Sequence, residues 1–169
     1  MFDSILMITL LLSAVSPTSS TPRDLVIDYM ALYYAAENGD TLLVDALLQR
    51  GAPVDAPPVN SAGELSYHAV HFNSPLQAAA ENGDLEIVRM LLEHDPWVDH
   101  HCCDGPPALG YAAEAGHREI VKVLLAAGAD PSITSTYDRD LSGTPLDAAR
   151  RHGHAAVVEL LENAESNDK

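Results

Sequence analysis

The chain has 169 residues, 47% hydrophobic and only 5% aromatic, which is enough to bury a core and favours close-packed Ala- and Leu-rich helices over a β-sandwich. With 25 acidic against 9 basic residues the formal net charge is -16, so there is no basic face for phosphates and nucleic acid is not an expected ligand. A basic peptide or protein suits that charge better, and the adjacent Cys102 and Cys103 define no disulfide framework.

The chain opens with MFDSILMITLLLSAVSPTSS, an apolar run followed by small residues, as in a signal peptide. Three features point elsewhere. Asp3 stands where positive charge belongs, and no Lys or Arg precedes Arg23. The chain has no Asn-x-Ser/Thr acceptor. In the register of the later repeats, Met7, Ile8, Leu10, Leu11 and Leu12 fall on core positions. Residues 1–20 therefore read as the second helix of an incomplete first repeat, with a cleaved signal as the competing reading. The run is shorter than the roughly 20 apolar residues a membrane-spanning helix needs.

From residue 29 onward the chain repeats itself. AAENGD stands at 35–40 and 79–84, and AAEAGH at 112–117. Gly39, Gly83, Gly116 and Gly153 anchor the copies, with Leu32, Leu76, Leu109 and Leu146 seven positions earlier. After each glycine runs a second apolar stripe at helical spacing: Leu43-Val44 with Leu47-Leu48, Ile87-Val88 with Leu91-Leu92, Ile120-Val121 with Leu124-Leu125, Val157-Val158 with Leu160-Leu161. Each unit reads as helix, tight turn, helix, loop. The mid-unit glycine supplies the left-handed turn. Ser74-Pro75 and Thr144-Pro145 supply a hydroxyl cap and a first-turn proline. In the fourth copy Arg150 takes the place of the second alanine of the pair.

The pattern T-P-L-x-A-A-x-x-x-G-H, followed by V-V-x-L-L and G-A-D, resembles the ankyrin repeat, over residues 29–165 as four copies. The resemblance implies an all-α solenoid of stacked helix pairs, because one unit cannot bury its own apolar face. The expected organisation is a single domain: repeat 1 at 29–55, a long inserted loop at 56–73, repeat 2 at 74–103, repeat 3 at 104–134, a short inserted loop at 135–143, and repeat 4 with a C-terminal cap at 144–169. The loops show as extra length: 14 positions separate Asp95 from Leu109, against 25 from Gly51 to Leu76 and 18 from Gly128 to Leu146.

The resemblance also implies a protein-binding module that uses first-helix residues and loop tips. The candidate contact residues are Glu37, Asn38, His71, Asn73, Glu81, Asn82, His101, Cys103, Asp104, Glu114, Ala115, Asp140, Arg151 and His152. Glu37, Glu81 and Glu114 share one register and form an acidic ladder suited to a basic segment, which Arg151 and His152 break in the fourth copy. A solubilising charge row is the plainer reading.

No catalytic motif is present, and no catalysis or cofactor is expected. His117 and His154 open second helices and read as structural. The run HHCCD at 100–104 contains metal-ligand types, but neighbours in a loop point to opposite sides, so zinc is a remote alternative. Trp97 beside it is expected to pack locally, or else to anchor a partner. An adaptor, scaffold or inhibitor in the cytoplasm or nucleus, or a fragment of a larger repeat protein, is the leading function class. An exported periplasmic or secreted repeat protein is the alternative.

Overall fold

A computed structural model describes residues 22–55, 73–101, 105–135 and 143–167. Among them are eight helices in four antiparallel pairs: α1 (Pro22–Glu37) with α2 (Thr41–Gln49), α3 (Pro75–Asn82) with α4 (Leu85–Leu92), α5 (Ala108–Ala115) with α6 (Arg118–Ala126), and α7 (Pro145–His152) with α8 (Ala155–Asn167). First helices pack on first helices along the array (α1 on α3, α3 on α5, α5 on α7), and second helices form a parallel row. The described residues contain no strand. An isolated antiparallel bridge between Ser135 and Gly143 pins the two ends of the short inserted loop.

The turns form as the composition dictates. Gly83, Gly116 and Gly153 close first helices at φ 86°, 79° and 76°, a region costly for a residue with a Cβ. Asp95, with φ 51°, takes the left-handed place that Gly51 and Gly128 occupy after the other second helices. Ser74 and Thr144 both complete capping boxes, with Gln77 and Asp147 respectively.

Leu32, Leu47, Leu91, Leu109, Leu124 and Leu161 are fully buried in one continuous interior. Each such leucine contributes about 1.5–3 kcal/mol by leaving water. The alanine columns Ala35/Ala79/Ala112/Ala149 and Ala36/Ala80/Ala113 are fully buried as well and allow close helix approach.

The ends of the array reveal which positions face which neighbour. Ile87, Ile120 and Val157 are buried while their counterpart Leu43, in repeat 1, is half-buried, so this column faces the preceding unit. Val44, Val88 and Val121 are buried while Val158, in repeat 4, is half-buried, so that column faces the following one.

Two helices run longer than the sequence reading. α1 begins at Pro22 rather than near residue 29, because its Thr-Pro pair stands at 21–22, with Pro22 ten positions before Leu32, instead of directly before the leucine as Thr144-Pro145 does in repeat 4. α8 continues to Asn167, past Glu165, because no glycine stands where Gly51 and Gly128 end the corresponding helices. The half-repeat or signal reading of residues 1–20 and the loop at 56–72 lie outside the described residues. Among the described residues no helix is long and apolar enough to cross a membrane.

Candidate functional site

The inner face of the array is built by the outward sides of the first helices and the segments that precede them. Adjacent repeats are tied there by a repeated device. His117 Nε2 donates to the carbonyl oxygen of Glu81 at 3.1 Å, and His154 Nε2 to that of Glu114 at 2.9 Å. Asn82 Nδ2 donates to the carbonyl of Glu37 at 2.7 Å. Neither His117 nor the residue before α8 needs to cap its own helix to serve this role; His117 makes no side-chain cap bond. Both histidines reach back one repeat and satisfy a helix-terminal carbonyl.

On the opposite, loop side, the tips are linked by aspartates. The Asp55 carboxylate accepts the Trp97 backbone N–H at 3.1 Å, and Asp99 Oδ1 accepts that of Asp130 at 3.0 Å. These bonds fix the backbone of Trp97 but not its ring. The indole is 64% exposed and touches the His100 ring edge-on at 5.4 Å, so local packing in the protein interior is not its role. Burial lowers the His100 pKa, partly offset by Asp55.

The carboxylates of the ladder differ in what they meet. Glu37 accepts a hydrogen bond from Tyr33 Oη at 3.0 Å. Burial and that bond push the Tyr33 pKa up to about 12. Glu114 lies 3.7 Å from His152 Nε2, an ion pair when the imidazole is protonated. The Glu81 carboxylate, between them, makes no hydrogen bond or ion pair among the described residues. Partial burial raises its pKa above the ordinary 4.5, and the negative charges of Glu114 and Glu37 raise it further.

That shift has a sign. The folded protein holds the Glu81 proton more tightly than the unfolded chain, so stability declines as pH rises from 4.5 through the raised value. Glu81→Gln is expected to stabilise the protein at pH 7 by less than about 1 kcal/mol, since solvent screens the carboxylate. Urea unfolding between pH 4 and 8 checks this: the gain must fade on the acid side.

Between the first helices and the loop segments lies a cleft of about 540 Å³, lined by Asn73, Glu81, Pro106, Tyr111, Glu114, Ala115, Ile133, Pro145 and Ala148 among others. Tyr111 Oη donates to Asn73 Oδ1 at 3.2 Å and so holds the ring at its wall. Of the sequence-predicted contact residues the cleft gathers Asn73, Glu81, Glu114 and Ala115. Asn38 bonds the Tyr34 carbonyl of its own helix, and Asn82 serves the inter-repeat link instead. Arg151 and His152 are exposed at the last turn of α7. His101 is exposed, its Nδ1 3.0 Å from the Asp99 carbonyl. His71, Cys103, Asp104 and Asp140 lie outside the described residues, as does most of the run considered for zinc. Among the described residues no three His, Cys, Asp or Glu side chains converge as metal ligands.

The sequence reading missed the aromatic part of the surface. Tyr34, 44% exposed, and Tyr111, in the cleft wall, both stand five positions before a turn glycine. Comparing that column across repeats, where the other copies have Ala78 and Ala148, would have found them.

Stacked helix pairs with an open, acidic inner face define a repeat protein whose exposed groove is its functional surface. The comparisons agree. The family described as "Ankyrin repeats (3 copies)" matches residues 32–135, and "Ankyrin repeats (many copies)" matches residues 109–162. The chain belongs to the ankyrin-repeat family. It is 32% identical over 131 residues to the B-cell lymphoma 3 protein homolog of Mus musculus, covering 78% of this chain and 25% of that protein. It is 32% identical over 133 residues to ankyrin repeat and KH domain-containing protein mask-1 of Caenorhabditis elegans, covering 79% of this chain and 5% of that protein. Over 88 residues it is 40% identical to the probable E3 ubiquitin-protein ligase XBOS33 of Oryza sativa subsp. japonica, 51% of this chain and 16% of that one. The chain thus spans a quarter or less of these relatives. Ankyrin repeats are protein-interaction modules, and that general role extends to this chain.

Proposed function

We propose that the protein is a non-catalytic adaptor, scaffold or inhibitor that holds a basic segment of another protein in its inner groove. The observation that carries this reading is Glu81: a half-screened carboxylate without a counter-charge among the described residues, at the rim of a cleft walled by Tyr111 and Pro106. A Lys or Arg from a partner would supply the missing charge, and an aromatic wall gives its aliphatic stem apolar contact. The relatives carry unlike names on a shared repeat region, which supports a binding scaffold more than a common reaction.

Charge reversal tests it. A partner captured from the native source should lose at least about tenfold in affinity to Glu81→Lys/Glu114→Lys, roughly 1.4 kcal/mol or more. The wild-type affinity should fall with salt, and the variant's should fall less. Equal affinity and equal salt dependence for both proteins would remove the acidic row from binding. The proposed location is the cytoplasm or nucleus; native protein whose N-terminus begins beyond residue 20 would mark export instead.

A further inference from the structure

The tyrosine column and the carboxylate row occupy one side of the first helices. Tyr34 and Glu37 are three positions apart on α1, and Tyr111 and Glu114 are three apart on α5, so ring and carboxylate share a helix side. Tyr111 and Glu114 both line the cleft, and Pro106, Pro107 and Ile133 add apolar wall to it. In repeat 2 the same column holds Ala78, which is buried and puts no ring between the two tyrosines.

The stacking also sets a spacing. α1, α3 and α5 pack on one another in order, and packed helix axes lie about 8–10 Å apart. Glu37, Glu81 and Glu114 hold one register and therefore recur along the groove at that interval. They are close enough that Glu114 and Glu37 both raise the Glu81 pKa. A linear partner matches such a row only if its cations recur at the same distance on one side. A polyproline II helix does so, because three residues per turn at 3.1 Å each return every third side chain to one side after about 9 Å. A β-strand repeats a face every 6–7 Å or so, roughly two-thirds of the interval. It would also find no ladder to join: the described residues contain no strand, and Ser135 and Gly143 already use their N–H and carbonyl groups on each other. An α-helix, at about 5.4 Å per turn, meets the row only on alternate turns. Polyproline II needs no ladder partner, and its prolines pack on aromatic walls. Asn73, whose Oδ1 accepts from Tyr111, makes no other hydrogen bond among the described residues and has an amide N–H to offer a carbonyl of such a segment.

On the footing that the inner groove holds a basic segment, we propose that this segment is proline-rich and in the polyproline II conformation, with Lys or Arg at every third position. Its cations meet Glu37, Glu81 and Glu114, and the intervening prolines lie on Tyr34 and Tyr111. Arg151, in the place of a fourth glutamate, limits the match to three cations.

Synthetic peptides of equal charge, titrated into the full chain and followed by fluorescence anisotropy, test the spacing. One carries three Lys-Pro-Pro triplets. A second has the same composition with its lysines at alternate positions. A third places three lysines seven apart on an Ala-rich helix. The triplet peptide is expected to bind at least about fivefold tighter than either of the others, because its cations are held at the spacing of the row before binding. It should lose at least about tenfold to Glu81→Lys/Glu114→Lys and less to Glu81→Gln, with helix content checked by circular dichroism. Equal affinity for the three peptides, or tighter binding of the alternate or helical one, overturns the polyproline II segment; if charge reversal and salt still weaken that binding, the groove remains a site for basic segments. Triplet affinity unmoved by charge reversal, or no binding of any peptide even at low salt, overturns both. If the charge-reversed protein loses helix content, Glu81→Gln decides in its place, and a triplet affinity equal to that of the wild type overturns the proposal.

Discussion

Gly116→Ala is expected to cost about 2–4 kcal/mol, while Gly153→Ala, at nearly the same backbone angle, costs about 1–2. Both positions are left-handed, at φ 79° and 76°, and a Cβ there carries a conformational penalty of about 1–2 kcal/mol. The difference comes from the next repeat. At Gly116 the new methyl would lie 2.5 Å from the His154 imidazole, which must move, and its 2.9 Å bond to the Glu114 carbonyl goes with it. Losing that bond adds about 1 kcal/mol, with some repacking beyond it. At Gly153 the methyl enters open space. Urea unfolding of the two variants separates the contributions. Equal losses would show that the histidine link adds nothing to the coupling between repeats.

Gln77→Leu is the second substitution with a large expected effect, about 2–5 kcal/mol. Gln77 is only 1% exposed yet polar, and both polar atoms of its amide are engaged. Its Oε1 accepts the Ser74 backbone N–H at 2.6 Å, and its Nε2 donates to the Pro106 carbonyl at 2.8 Å, across to the start of the next repeat. Leucine preserves the size but strands a buried N–H and a half-buried carbonyl, each at about 1–3 kcal/mol. Repeat 4 offers an internal comparison. Asp147 occupies the same place, accepts the Thr144 N–H at 3.0 Å, and is exposed. Asp147→Ala should cost only about 1 kcal/mol, the usual value of an exposed cap. A thermal unfolding series in which the two substitutions cost the same would contradict the bridging role of Gln77.

Much of the architecture was legible because repetition multiplies a weak signal. One glycine between two apolar stripes is ambiguous; four in register, each with a leucine seven positions before it, specify helix pairs. The mid-unit glycines, the two capping boxes and the left-handed Asp95 all follow from local chemistry, which a sequence displays directly. Helix ends were less legible where that chemistry is out of register or missing, as at α1, whose Thr-Pro pair at 21–22 puts Pro22 ten positions before Leu32, and α8, which lacks the terminal glycine. The acidic row was readable as a register. That Glu81 alone among the three carboxylates lacks a partner among the described residues was not, because Glu114 meets His152 from the next first helix, while Tyr33 reaches Glu37 from one turn earlier on the same helix.

The sequence by itself determined the repeat, its all-α character and the sign of its surface, since these depend on spacing and composition. The tertiary structure decided which side chains look forward and which look back. His117 and His154 became links between repeats, Trp97 an exposed ring, and Arg150 with Glu162 an ion pair between the two helices of repeat 4. The reason is that each repeat's faces acquire their meaning from the neighbour they meet, and a neighbour is a fact of packing that no single repeat's sequence contains.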